Sequence, residues 1–467
     1  MAAELDPILN DFEDYAPPSL RLVSSEVKPK PRKWIRKGLA VLALTATLCE
    51  GAMIYTAVDE NNSARKNADV STSAYLLNYE NYWQRTGIGF TFAPEDLGLT
   101  AANYKTPTGE KITQKALSEL DILHKDMLMS AGRIAFQEQN LVDANGKFNF
   151  DFYKPYFEKM VNNKMDITID FGPRTSGWPE FKIPNNKLND VKSAPTNGTI
   201  INSNAEIGKQ SVMLANELFA YLTSHYSKEQ LSAIKMVQVG NENDNDWGNP
   251  SVRLSQEFQL KLISIVHKEF PDKKILLNSA GQMNLDSTAD TIKKAIIEDP
   301  SLENKMVQGV DYYLDIGSVN MPLVGEADPL DIPFVGKIDP IAWDKIAPIS
   351  LNGIAPIGGD KFENSINDAI NNKYGKEVTE FGVEPWKKGD YSKGSRILNL
   401  KYGLIRLVEN VLPKKGQVLI RLWGLQDWFN TLDKGGALAD ETKEMEKVVK
   451  GINAISSDTS GETFQIK

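Results

Sequence analysis

The pattern that most constrains this chain lies between residues 87 and 424, where eight short apolar runs alternate with amphipathic stretches. The runs are Gly87–Phe92, Ala131–Phe136, Asp166–Gly172, Met236–Val239, Lys274–Ala280, a segment within Val310–Met321, Glu377–Gly382 and Gln417–Gly424. Each is four to eight residues long, rich in β-branched or aromatic residues and bounded by glycine, proline or polar residues, which predicts a buried strand. Between them, apolar positions recur at helical spacing in Leu117–Met129, Phe152–Asn163, Gly208–Ser224, Leu254–Phe270, Asp290–Ile297, Ser365–Asn372 and Leu398–Val411. Strands that alternate with helices must run parallel, and eight of them predict a closed α/β TIM barrel rather than an open sheet.

The loops that should follow these strands are polar and long. Pro173–Thr199 contains Arg174 and Trp178, and Pro322–Pro356 is rich in proline, glycine and aspartate. In a barrel the loops after the strands build the site, so long ones suit an extended ligand. Strand four ends abruptly at Gly240 and delivers Asn241 and Glu242 into a polar loop. Strand seven carries Thr379-Glu380-Phe381-Gly382, strand two carries Arg133, and strand eight ends in Leu422-Trp423-Gly424.

These four motifs, over residues from about 85 to 430, resemble the (β/α)8 retaining glycoside hydrolases that keep catalytic glutamates at the ends of strands four and seven. The resemblance implies Glu242 as acid/base and Glu380 as nucleophile. It makes Asn241, Arg133, Trp423, Trp178 and Trp247 substrate-binding or site-lining residues; no cofactor and no histidine- or cysteine-held metal is expected, and carboxylate-bound Ca²⁺ or Mg²⁺ stays open. The chemistry agrees. Glycosidic cleavage needs one carboxylic acid to protonate the leaving oxygen and one carboxylate to attack the anomeric carbon, and a separation of about 5–5.5 Å predicts retention. Like charges that close raise the proton affinity of the less stabilised group. Arg133 would hold Glu380 ionised and leave Glu242 protonated. Asn241 suits a sugar 2-hydroxyl, and Trp423, with Trp178 or Trp247, an apolar sugar face. Plainer roles exist for each: loop capping for Glu242, a structural salt bridge for Arg133, core packing for Trp423, and solvated or supporting positions for Glu377 and Glu384. The sequence departs from the family after strand six, where Asn320 and Pro322 stand in place of its usual histidine and tyrosine, with Tyr312 and Tyr313 earlier. That departure keeps a second reading open, a catalytically inactive barrel that binds polysaccharide in an export or cell-surface assembly.

The N-terminal region is organised differently. Residues 1–33 are polar and proline-bearing and read as a disordered tail. Lys28, Lys30, Arg32, Lys33, Arg36 and Lys37 then precede Gly38–Val58, in which Glu50 is the only charge. Twenty-one helical residues reach about 31 Å, which matches a hydrocarbon core of about 30 Å. Residues 34–58 therefore read as an uncleaved transmembrane signal anchor, with the tail cytosolic and the barrel extracytoplasmic, periplasmic or extracellular. A cleaved signal peptide would need a small-x-small site that the run does not show clearly, and Leu48 before Cys49 disfavours lipidation. Residues 59–80 read as a linker, 81–455 as the catalytic barrel and 456–467 as a polar tail.

Composition narrows the partners. A net charge of −9 gives no reason to expect nucleic acid. One cysteine excludes an internal disulfide framework, and His124, His225 and His267 are the only histidines and do not pair at ligand spacing. Asn243–Asn249 lacks the glycine and closing glutamate of a calcium loop. The expected partners are a polysaccharide or oligosaccharide substrate and, through the N-terminal helix, a membrane.

Overall fold

In a computed structural model, the described residues are 86–143, 145–176, 198–244, 252–279, 285–316, 319–321, 325–327, 354–356, 374–382, 404, 407, 418–424 and 437–458. Eight strands close a parallel barrel: β1 (Thr86–Phe92), β2 (Ala131–Gln137), β3 (Asp166–Gly172), β4 (Ile234–Val239), β5 (Lys274–Ser279), β6 (Met306–Ile316), β7 (Gly375–Gly382) and β8 (Val418–Trp423). Each strand pairs with its sequence neighbours in order, and β8 returns to β1 with Thr86 opposite Val418. All eight expected strands are present in the expected order. β6 begins at Met306, four residues before the expected window. Its outer end continues past the barrel and pairs antiparallel with Ile354–Pro356, within what reads in sequence as a structureless loop. A small hairpin of Val319–Met321 and Gly325–Ala327 stands in the same segment.

Among the described residues the longer helices are α1 (Pro107–Lys125), α2 (Lys154–Asn162), α3 (Glu206–His225), α4 (Gln256–Glu269), α5 (Leu285–Glu298) and α6 (Ala437–Asp458). α1 starts ten residues before its apolar stripe because Thr106 caps it, accepting from the Gly109 N–H, and Pro107 sits at the first position. α4 is capped in the same way by Ser255. α6 runs through Gly451 to Asp458, past residue 456, where the sequence reads as turning into a polar tail. Its Asn453 accepts from the Ile88 N–H at 2.9 Å and donates to the Ile88 and Met127 carbonyls, each at 3.1 Å. The pairing of β1 with β2 begins only at Phe90, so this amide occupies the gap.

Strand alternation sorts side chains between two environments. Ile88, Phe90, Ile134, Ile167, Ile169, Val237, Ile275, Val310, Val378, Phe381, Ile420 and Leu422 face outward into one continuous core with the helices. Leu404 and Leu407, within the expected helix Leu398–Val411, are also buried in it. The inward phase is unusual. Met236, Leu276 and Val307 form a small apolar cluster on β4, β5 and β6. Beside and above it the interior is polar: Thr91, Arg133, Thr168, Asp170, Gln238, Asn278, Asp311, Glu377, Thr379, Glu380 and Arg421 are all buried. Barrel interiors are ordinarily filled by branched apolar residues.

The proposed tail, anchor and linker at 1–80 lie outside the described residues, as does helix Ser365–Asn372. Among the described residues no helix is long and apolar enough to cross a membrane.

Candidate active site

β4 sets the first half of the site. Its chain turns at Gly240 (φ +68°), where a Cβ would stand 2.1 Å from the Asn243 side-chain oxygen. Glu242 follows in the left-handed region with φ +49°. A non-glycine residue held there is locally strained and must be constrained by its surroundings. The constraints are visible. The Asn241 N–H donates to the Arg174 carbonyl at 3.1 Å, and buried Arg174 donates back to the Asn241 carbonyl at 3.1 Å and to that of Val252 at 2.6 Å. The Glu242 N–H donates to Asn278 Oδ1 at 3.0 Å.

β7 sets the second half through a bulge. Val378 and Phe381 both face the outer core although three residues apart, and the pairing with β6 and β8 shifts register after Val378. An inserted residue re-aims the strand at such a point. Thr379 and Glu380 thereby both reach the interior, as does Glu377 one turn of the pleat below. Gly309 on β6 makes room, since a Cβ there would lie 2.5 Å from Thr379 Cγ2.

Arg133 joins the halves. Its guanidinium donates to Glu380 Oε1 at 2.7 Å, Gln238 Oε1 at 2.9 Å, Thr91 Oγ1 at 3.0 Å and Asn241 Oδ1 at 3.4 Å. Burial works against its charge, but Glu380, Asp170 and Asp311 outweigh that and push its pKa up. The ion pair with Glu380 is fully desolvated. Asn241 Oδ1 also accepts from Gln238 Nε2 at 3.0 Å and Asn278 Nδ2 at 2.8 Å. Three donors around one oxygen settle the orientation of this amide. Its Nδ2 is buried with no hydrogen-bond partner among the described residues, as are Gln137 Nε2, Asp170 Oδ1 and Ser279 Oγ. These four atoms belong to residues at or just past the C-terminal halves of β2, β3, β4 and β5.

Glu242 and Glu380 meet, as their motifs predict, and a third carboxylate joins them. One oxygen from each of Glu242, Asp311 and Glu380 lies within 4.8 Å of the others. Asp311, on β6, hydrogen-bonds the Glu242 carboxyl and accepts from Thr379 Oγ1 at 2.6 Å and Asn278 Nδ2 at 3.1 Å. Burial, then the Asp311 charge and hydrogen bond, then Glu380 hold Glu242 well above the usual carboxylate range. Burial and Glu380 push Asp311 up to about 8. Asp170 rises to about 6, chiefly from burial, while Ser176 donates to it through both N–H and hydroxyl. The three-carboxylate spacing would admit a small cation. However, Arg133 already supplies positive charge to Glu380, and Glu242 is engaged by Asp311, so the cluster suits proton sharing better than ligation.

Trp423 sits at the C-terminal end of β8, half-buried, in phase with interior Arg421. Trp178, Trp247 and Glu384 lie outside the described residues. The structure decides two points that the sequence left open. Of the two roles open to Glu377, the supporting one holds: it is buried and paired with Arg421, whose Nη2 also donates to Thr168 on β3 at 2.6 Å. Tyr312 does not replace the missing strand-six tyrosine, because it is fully buried on the outer face, with its ring parallel to Phe381 at 6.3 Å. The Tyr313 and Asn320 side chains and Pro322 lie outside the description. Sequence reading overlooked Asp311, Asn278 and Gln238. Their one signal is a polar residue at the inward phase of an otherwise apolar strand.

No protein-family model matches the chain, and no curated protein matches it in sequence. Solved structures do match it. A GH5-4 broad-specificity endoglucanase from Clostridium longisporum aligns over 80% of this chain and 98% of its own, at 12% identity and a TM-score of 0.41. A family 1 β-glucosidase from Thermotoga maritima aligns over 73% of this chain and 88% of its own, at 12% identity and a TM-score of 0.41. An exo-β-1,4-mannosidase from Opitutaceae bacterium strain TAV5 aligns over 81% of this chain and 59% of its own, at 12% identity and a TM-score of 0.45.

Proposed function

We propose that the chain is a retaining glycoside hydrolase acting on a polysaccharide or oligosaccharide, with Glu242 as acid/base and Glu380 as nucleophile. The observation that carries this reading is the pair itself: two buried carboxyl groups from distant strands, with oxygens within 4.8 Å, in opposite electrostatic surroundings. Glu380 is neutralised by Arg133, whereas burial and neighbouring anions keep a proton on Glu242. Acid and nucleophile are distinguished by such environments, and this spacing is too close for the water that an inverting mechanism places between its carboxyls.

In the first step the Glu242 O–H bond breaks as the leaving oxygen takes the proton. The anomeric C–O bond breaks, and a bond forms from the anomeric carbon to a Glu380 oxygen. In the second, Glu242 takes a proton from water, whose oxygen displaces Glu380 and restores both groups. Asn241 Nδ2, buried and unpartnered among the described residues, can donate to a sugar hydroxyl beside the nucleophile. Gln137, Asp170 and Ser279 offer further polar atoms that a hydroxylated ligand would satisfy. Trp423 contributes an apolar face at the rim, and Trp178 and Trp247 stand in sequence near enough to the same loops to extend it.

We place the barrel outside the cytoplasm on the strength of the cationic cluster and the apolar run in 28–58. The test of the chemistry is trapping with 2-fluoro glycosyl probes. Covalent label on the peptide containing Glu380, absent in Glu380→Gln, is the expected result. Absence of label and of hydrolysis over a broad glycan panel, with binding retained in Glu380→Gln, would establish the inactive polysaccharide-binding barrel instead.

A further inference from the structure

Two carboxyl groups suffice for the proposed reaction, yet three converge here. Asp311 is buried at the inner face of β6, opposite Glu380 in the register between β6 and β7. Every element around it contributes a polar or charged group. Thr379 and Glu380 come from β7, Asn278 from β5 and Glu242 from the loop after β4. Arg133 acts on it from β2, and Arg174, after β3, acts on its partner Glu242. Thr379 Oγ1–H and Asn278 Nδ2–H point at the two oxygens of Asp311. A carboxylate receiving such donors is stabilised in its charged form, so once the pair has lost its first proton the negative charge resides on Asp311 and the remaining proton on Glu242.

We propose that Asp311 is a positioning residue that keeps the acid loaded: it accepts the Glu242 O–H and, by its own charge, holds the proton on Glu242 until a leaving oxygen takes it. This rests on the glycosidase reading for its purpose but not for its measurement. The charge balance is consistent through the first step. Once Asp311 has ionised, at a pH of about 8 and above, the cluster before the step contains Glu380 and Asp311 as anions, Glu242 protonated and Arg133 as cation. Afterwards Glu380 is a neutral ester, and Glu242 and Asp311 are the anions. Two negative charges and one positive are present on both sides, so the buried site is not asked to hold a third. The upward displacement of both Glu242 and Asp311, the former further, accords with this distribution.

The direct test is a carbon-13 NMR titration of the full-length protein carrying label at the glutamate side-chain carboxyl, with Glu242→Gln assigning the resonance. In the parent protein the Glu242 signal should titrate above neutral pH. In Asp311→Asn it should fall by at least one pH unit, a tenfold loss of proton affinity. Thr379→Val, which removes a donor from Asp311 and keeps the side-chain volume, should move it the same way by less, and it carries the test if Asp311→Asn does not fold. The alkaline limb of kcat/KM against an aryl glycoside should move to lower pH in parallel. A Glu242 titration unchanged in the folded variants would overturn the proposal, even if activity fell, because that pattern marks a merely structural carboxylate. A parent protein that cleaves no glycoside would instead sink the glycosidase reading and leave the titration to decide the role of Asp311.

Discussion

At the scale of single residues, burial without compensation marks the groups that titrate anomalously. Glu138, just past β2, is buried, and burial pushes its pKa up to about 8 against a smaller opposing hydrogen bond from Ser211. One of its oxygens has no hydrogen-bond partner among the described residues. Between the ordinary carboxylate range and about 8, the native state holds a proton there that the unfolded chain has lost. Stability from this group therefore falls as pH rises across that window, by up to about 1.4 kcal/mol per unit. Glu138→Gln removes the titration. Thermal melts should show it raising Tm relative to the parent at pH 8 and leaving it close to unchanged at pH 4. An equal effect at both pH values would mean that the residue matters for packing rather than charge. In the proposed reaction the same physics in Glu242 serves chemistry, because there the retained proton faces the proposed nucleophile.

At the scale of elements, the site depends on irregularities. The bulge in β7 turns Thr379 and Glu380 inward together, and the left-handed turn after β4 aims Glu242 back over the barrel. A perfectly regular β7 would have pointed one of its two polar residues at the helices. α6 makes an analogous repair at β1, where Asn453 satisfies both backbone groups of Ile88. Leaving buried backbone groups unpaired costs roughly 1–3 kcal/mol. Asn453→Leu should lower the unfolding free energy by about 2–4 kcal/mol in denaturant titration, with the m-value unchanged. A loss below about 0.5 kcal/mol would show that the amide contributes nothing that water cannot replace.

At the scale of the molecule, the barrel carries two buried arginines across its interior. Arg133 links β1, β2, β4 and β7, and Arg421 links β8, β7 and β3 through Glu377 and Thr168. Removing one member of a buried pair strands the other charge, at a cost of about 3–5 kcal/mol, whereas replacing both by apolar groups is often neutral. Arg421→Met and Glu377→Leu should each destabilise strongly, and the double variant should be more stable than either single one. Additive losses in that cycle would refute the pairing as the source of the cost. The Arg421 pair lies below the proposed catalytic residues, so the double variant isolates stability from the acid/base chemistry.

The order of elements was legible in the sequence because alternation of period two and amphipathicity of period 3.6 are local properties. The same holds for the ends of β4 and β7, where Asn241-Glu242 and Thr379-Glu380 interrupt apolar runs. Asp311, Asn278 and Glu377 were not legible in the same way. A polar residue in a strand gives no local sign of whether it meets solvent, a salt bridge or a catalytic partner, and Asp311 lies 69 residues from each of Glu242 and Glu380 in sequence. The sequence by itself thus determined a barrel with two acids and an arginine at its mouth. Only the tertiary structure decided that the acids are three and that Glu377 is part of the interior. The physical reason is closure: a ring of eight strands sets side chains from distant positions within a few ångströms in a space without water, and proton affinity is decided there by neighbours that no stretch of chain contains.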